Sequence, residues 1–262
     1  MIGPRCSGIE GSRILGRGRR TRLNDGSAGR TRAGKGSSHV KIISYNLREH
    51  TARGELQAIA DDHDVDVLAL QECDHTDMPD ELGHLRLIEQ TRTNRLGLAL
   101  YARKDRFEVK GKKVFALRKS MHDRLLKPAN ERLLAAHLLD HETGREVLVG
   151  DFHAAPLTAT NSLRRKQIAA AHEGMRGIAA GLPAVMVGDF NYPWFLRGLE
   201  RRLSTTGYEL TRMPTPTYVK FPFSAGYFDF ATSTGFVLED LKVLPQGISD
   251  HLPISMTARI AA

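Results

Sequence analysis

From Val40 onward, short apolar runs rich in β-branched residues recur along the chain, and most of them stop at a polar residue. Runs of this length and composition predict strands over Val40–Tyr45, Val65–Gln71, Leu96–Tyr101, Arg132–Leu138, Val147–Phe152, Ala184–Phe190, Phe228–Thr232 and Ile254–Thr257. Between them, helical spacing predicts helices over Glu55–His63, Ala159–Glu173 and Phe195–Ser204. In the second, Leu163, Gln167, Ile168 and Ala171 share one face. Many strands and few helices imply an α/β (α+β) chain in which sheets pack on each other under a cover of helices.

Upstream of Val40 the pattern disappears. Residues 1–38 hold nine of the 24 glycines and nine Lys/Arg against Glu10 and Asp25, with no apolar periodicity. Such a segment buries too little surface to offset its ordering entropy, so residues 1–38 are expected to be a disordered basic tail and 39–262 the folded domain. Three readings of the tail stay open: a polyanion-binding arm, an organellar transit peptide, or translated sequence upstream of the true start. The net charge of +8 sits almost wholly there, since residues 39–262 carry only +1, so the charge of the domain does not itself point to nucleic acid. No run approaches the length needed to span a bilayer, although transient contact with a membrane surface stays open. Two cysteines, Cys6 and Cys73, exclude a disulfide scaffold and suggest reduced thiols in a cytoplasmic protein.

The chemistry lies where the strands end. Ile42-Ile43-Ser44-Tyr45-Asn46 ends in an amide, and Val67-Leu68-Ala69-Leu70-Gln71-Glu72 in a carboxylate. Val149-Gly150-Asp151-Phe152-His153 ends in an imidazole, and Val187-Gly188-Asp189-Phe190-Asn191 in a carboxylate and an amide. Ser249-Asp250-His251 precedes the last strand. Side chains at strand ends leave the core while staying anchored, which is where ligand sites gather. Residues i and i+2 face the same side, so Asp189 and Asn191 can reach one group together. Amides, carboxylates and imidazoles without thiolates suit a hard divalent cation and a phosphate rather than zinc. Taken singly, each of these residues is more simply a turn former, a cap or a hydrogen-bonded core histidine.

In order, Asn46, Gln71-Glu72, His153, Gly188-Asp189-Phe190-Asn191 and Ser249-Asp250-His251 resemble the motif series of the endonuclease/exonuclease/phosphatase superfamily, over nearly all of the chain after Lys41. The resemblance implies a deoxyribonuclease I-like four-layer sandwich of two packed mixed sheets flanked by helices. It also implies hydrolysis of phosphate esters with Mg²⁺ (or Mn²⁺). Glu72 would be the main metal ligand, with Asn46 and Asp250 completing or supporting the shell. Asp189 would orient or deprotonate water, Asn191 would hold the phosphate, and His153 and His251 would bind its oxygens. Asp229 would orient His251; the residue after it is Phe230, where the family usually has Tyr. His153 sets the chain apart from the family's abasic-site endonucleases, which carry a Tyr in that neighbourhood. Glu89 is offered as a carboxylate partner for His153.

The substrate is left open. A phosphodiesterase or nuclease, acting on DNA, RNA or a smaller ester, is the first reading. Alternatives are a phosphatase or phospholipase acting on lipid or small-molecule phosphates, and a non-catalytic binding module that kept the fold. Eleven Lys/Arg against four acids in residues 101–132 form either a track for a phosphate backbone or a solvated face. Tyr192-Pro193-Trp194-Phe195 and Phe221-Pro222-Phe223 fit base stacking, an apolar substrate, a membrane surface or ordinary loop packing.

Overall fold

The computed structural model describes residues 39–125, 130–220 and 224–261. The basic segment 1–38 and the Phe221-Pro222-Phe223 group lie outside the described residues. From β1 (His39–Asn46) the chain passes through a 3-10 turn (Thr51–Glu55) and α1 (Leu56–His63) into β2 (Val67–Cys73). Then come β3 (Glu81–Leu82), β4 (Leu85–Gln90), β5 (Gly97–Arg103), β6 (Phe107–Ala116), α2 (Met121–Leu125), β7 (Glu131–Asp140) and β8 (Arg145–His153). The remainder is α3 (Asn161–Arg176), β9 (Ala184–Asp189), α4 (Leu196–Ser204), β10 (Glu209–Thr211), β11 (Tyr218–Lys220), β12 (Ser224–Gly226), β13 (Asp229–Thr234), β14 (Phe236–Val243) and β15 (Ile254–Ile260).

Two mixed sheets result, in the orders β14-β15-β1-β2-β5-β4-β3 and β10-β13-β9-β8-β7-β6, with β11-β12 a separate hairpin. Alternate residues of both sheets, among them Ile42, Ala69, Leu100, Leu134, Val149, Val187 and Met256, interlock in the central core. On the outer side of the first sheet, Leu56, Ile59 and Ala60 of α1 pack against Ile43, Leu68 and Tyr101. On the outer side of the second, Ile168, Ala171 and Met175 of α3 and Leu199 and Leu203 of α4 pack against Leu148, Met186 and Phe152. These are the four layers that the resemblance implies.

One topological feature positions the chemistry. β1 pairs parallel with β2, and β8 parallel with β9, each pair joined by a helical crossover. The carboxyl ends of each parallel pair therefore lie together, Asn46 beside Gln71 and His153 beside Asp189. β13 runs antiparallel on the other side of β9, which sets Asp229 opposite Asp189. At the far end of β2, Arg106 is buried between Asp66 and Asp140, with Nη1 3.1 Å from Asp66 Oδ2 and Nη2 2.9 Å from Asp140 Oδ2.

All eleven elements expected from the sequence are present, with ends shifted by a few residues. The strands not expected include β6 and β14, both sheet edges whose outward positions are charged. The basic stretch 101–132 is not one track. Arg103, Lys104, Arg106, Lys110, Lys112 and Arg132 each pair with Asp or Glu. No helix among the described residues is long and apolar enough to cross a membrane.

Candidate active site

Glu72 shows how local backbone serves the site. The β2–β5 register slips between Gln71 and Cys73, so Glu72 is the extra residue of a β-bulge, with φ +59° in the left-handed region. A bulge re-aims a side chain and strengthens local twist. Here it frees Glu72 to turn into the cleft while Gln71 keeps its inward direction, donating from Nε2 to Ser44 Oγ (3.0 Å) and to Asp151 Oδ1 (2.6 Å). Asp151 belongs to that buried contact between the sheets. It is not a cleft residue, and burial pushes its carboxyl well above the ordinary range.

The Gly-Asp-Phe-Asn turn is equally constrained. Gly188 has φ +142°, and a Cβ there would lie 1.9 Å from the Phe152 carbonyl oxygen, so only glycine lets β9 approach β8 this closely. Phe190 stacks on Phe230 with centroids 3.9 Å apart, and Phe230 is buried among apolar side chains. That explains why a phenylalanine can stand where the family usually has tyrosine. Asn191, at φ +48°, folds back so that its backbone N–H donates to Asp189 Oδ1 (2.8 Å) and its Nδ2 to Asp189 Oδ2 (3.0 Å).

Asp189 Oδ2 is the centre of the cluster. Asn46 Nδ2 lies 3.1 Å away, His153 Nε2 3.5 Å and His251 Nε2 3.8 Å. Burial raises the pKa of Asp189, against the attraction of His251 and His153. His251 Nδ1 faces both oxygens of Asp229, at 2.9 and 3.2 Å. Burial works to lower the pKa of His251, but Asp229 and Asp189 outweigh it and push it up to about 10. For His153 burial prevails over Asp189 and Glu72, and its pKa falls below the ordinary value. Near neutral pH the cleft thus holds one charged and one neutral imidazole.

Asn46 Nδ2 also lies 3.4 Å from Glu72 Oε1, while the Asn46 side-chain Oδ1 accepts from the Arg48 N–H. The Glu49 N–H donates to Glu72 Oε2 (2.7 Å). Asp250 faces half-exposed Arg48 at 3.9 Å. Ser249 Oγ donates to Asn46 O and accepts from the His251 N–H, tying the final motif to the first. Glu72, His153, Asp189, Asn191, Asp250 and His251 all line one open cavity of about 1210 Å³. Asn46 and Asp229 support it from beneath.

The expectation for Glu89 is overturned. Glu89 pairs with Lys112 at 3.1 Å, and the carboxylates that face His153 are Asp189 and Glu72. Edge strand β6 carries Lys112 past β4 and captures Glu89 there. Two residues went unnoticed in the sequence. Buried Arg132 donates from Nη1 to the His153 and Ala154 carbonyls and pairs with Asp123 at 2.7 Å, fixing the end of β8. Tyr218 sets its ring edge-on to His251, 4.9 Å between centroids. A charge opening an otherwise apolar strand was the available signal for Arg132.

Asp189, Asp229 and His251 offer ligand-type atoms within 4.8 Å of one another. Both Asp229 oxygens lie on the side of His251 Nδ1, so that group is better described as a carboxylate–imidazole pair beside Asp189 than as a cation cage. The oxygen-rich side is elsewhere. Among the described residues no Lys or Arg pairs with Glu72, and Asp250 faces only half-exposed Arg48 at 3.9 Å, so these two carboxylates fit a hard divalent cation.

Two mixed sheets that bring Asn, Glu, Asp and two His to one shared rim define a deoxyribonuclease I-like hydrolase of phosphate esters. The family model for the Endonuclease/Exonuclease/phosphatase family matches residues 43–251, and the chain belongs to that family. Solved structures share the fold at low identity. An endonuclease/exonuclease/phosphatase from Bacteroides vulgatus has a TM-score of 0.71 at 18% identity, covering 85% of this chain and 99% of its own. Mannosyl-6-phosphatase from Bacteroides thetaiotaomicron has 0.65 at 20%, covering 84% and 99%. The catalytic domain of human Nocturnin, with bound sulfate, has 0.64 at 15%, covering 86% and 95%. No curated protein matches the chain.

Proposed function

We propose that the chain is a Mg²⁺-dependent phosphodiesterase or nuclease, with Mn²⁺ able to replace Mg²⁺. The observation that carries this reading is the convergence of Asn46, Glu72, His153, Asp189, Asn191, Asp229, Asp250 and His251, from separate segments, around one cavity. Glu72 and Asp250 would hold the cation, and Asn46 would orient Glu72 through its amide hydrogens. When bound, the ion would draw electron density from a phosphoryl oxygen and neutralise developing charge.

The chain's own groups do the rest. Asp189, made more basic by burial, takes the proton of the attacking water. Asn191 and Asn46 hold that carboxylate and leave it one favourable direction, into the cleft. His251, charged and fixed by Asp229, donates from Nε2 to a non-bridging oxygen as negative charge grows there. Neutral His153, held at the end of β8 by Arg132, hydrogen-bonds a second oxygen. A cavity of about 1210 Å³ has room for a group on each side of a phosphorus, as a diester requires.

Turnover of bis(p-nitrophenyl) phosphate, plasmid DNA, an inositol phosphate and sphingomyelin, each with Mg²⁺ and with chelator, tests the reading. Mg²⁺-dependent release from the first two is expected. Cleavage confined to the inositol phosphate or sphingomyelin would replace the diesterase or nuclease by a small-molecule or lipid enzyme. Binding without turnover of any would leave only a binding module.

A further inference from the structure

Beside the active-site cleft lies a second cavity, of about 550 Å³, between the β6–α2 segment and the start of α3. Arg118, Lys119 and Arg124 line it from the β6–α2 segment, and Lys166, Ser162 and Thr158 from α3 and the turn before it. No carboxylate lines it. The four cations are exposed, and none has an acidic partner among the described residues. This sets Arg118, Lys119 and Arg124 apart from most of the cations in residues 101–132. Arg103, Lys104, Arg106, Lys110, Lys112 and Arg132 are all neutralised by Asp or Glu. Of the cations in residues 101–132 without an acidic partner among the described residues, Arg118, Lys119 and Arg124 share this one concave place, while Lys113 lies over the Phe115 ring. Like charges held together on a nearly neutral domain repel one another, and an anion relieves that repulsion.

The two cavities adjoin. Thr158 lines both, and buried Asp123 of α2 pairs with Arg132, whose guanidinium holds the His153 and Ala154 carbonyls. The wall of the basic cavity is therefore tied to the end of the strand that carries His153. We propose that this cavity is a second phosphate subsite, which takes a phosphate of the substrate other than the one being cleaved. The substrates it selects carry at least two phosphate groups, a chemistry shared by a nucleic-acid strand and a small bisphosphate. The inference rests on the phosphate-ester reading of the neighbouring cleft and narrows its substrate.

Two paired variants test it: Arg118→Glu with Lys166→Glu, and the charge-preserving Arg118→Lys with Lys166→Arg. All these positions are exposed, so equal thermal midpoints will show that both proteins fold. The first measurement is calorimetric titration of metal-free protein with tripolyphosphate, which needs no turnover. Charge reversal should weaken binding by about tenfold or more, and more steeply at low salt, while the preserving pair keeps the wild-type affinity. The same affinity in all three proteins overturns the subsite. The second measurement is kcat and KM with Mg²⁺ for bis(p-nitrophenyl) phosphate, the trinucleotide TpTpT and a sugar bisphosphate. Charge reversal should raise KM for a two-phosphate substrate with kcat kept, and leave the single-phosphate diester unchanged. A rise for TpTpT alone identifies a nucleic-acid strand, and one for the bisphosphate alone a small molecule. An equal rise for the single-phosphate ester means a diffuse field and overturns the subsite. If the wild-type protein cleaves none of the three, the enzymatic reading of the cleft falls, while the titration still decides the cavity.

Discussion

Asp229 never faces the substrate cavity, yet it governs the residue that does. Its two oxygens hold His251 Nδ1 and keep that imidazole charged. Asp229→Asn should therefore lower kcat by roughly 10²–10⁴-fold with KM little changed, as the loss of an orienting carboxylate does elsewhere. Unchanged kcat in a folded variant would reduce Asp229 to a packing residue. A second histidine behaves in the opposite way. His172 is buried, stacked on Tyr208 at 3.7 Å and bonded through Nε2 to Thr232 Oγ1 at 2.8 Å. Burial, helped by Arg176, lowers its pKa from 6.5 to about 3. Only the neutral form fits, so its contribution to stability is present above the unfolded value and is lost as pH falls from about 6.5 towards about 3. Denaturant midpoints measured from pH 7 to pH 4 should fall, and fall less in His172→Gln. Parallel curves for the two proteins would show that acid sensitivity lies elsewhere.

At the scale of the element, strand ends and turns were more legible in the sequence than partnerships. Parallel strand pairs are buried on both faces, so β2 and β9 read as continuous apolar runs whose polar last residues stood out. β6 and β14, at sheet edges with Lys and Glu outward, have no such run and went unread. The Glu72 bulge also left no local signature, because a register slip depends on the partner strand. The Glu89 expectation failed for the same reason, since Lys112 comes from a strand that sequence spacing did not reveal. By contrast, the glycine of Gly-Asp-Phe-Asn is explained wholly by backbone geometry. Gly188→Ala forces a Cβ onto the Phe152 carbonyl at positive φ, so it should destabilise the fold by about 3 kcal/mol or more and misplace Asp189. Chemical denaturation checks this; a loss under about 0.5 kcal/mol, the range of an ordinary surface change, would mean that β8 and β9 separate easily.

The whole molecule divides its charge unevenly, +7 on residues 1–38 and +1 on the remainder. If the full chain binds DNA or RNA without sequence preference, most of that affinity should come from the basic segment and weaken steeply with salt. Removing residues 1–38 should flatten the salt dependence and leave turnover of bis(p-nitrophenyl) phosphate nearly unchanged, because every residue of the cleft lies between Asn46 and His251. An unchanged slope would place the binding on the domain, where the basic cavity beside α3 is the strongest candidate. The most direct test of the whole account is the dependence of bis(p-nitrophenyl) phosphate turnover on Mg²⁺ concentration, in the wild-type protein and in Glu72→Gln. The wild type should be silent in chelator and saturate with Mg²⁺, while Glu72→Gln should need far more metal and turn over at least about 10²-fold more slowly. Turnover in chelator, or identical curves for the two proteins, would contradict a cation-assisted hydrolysis centred on Glu72.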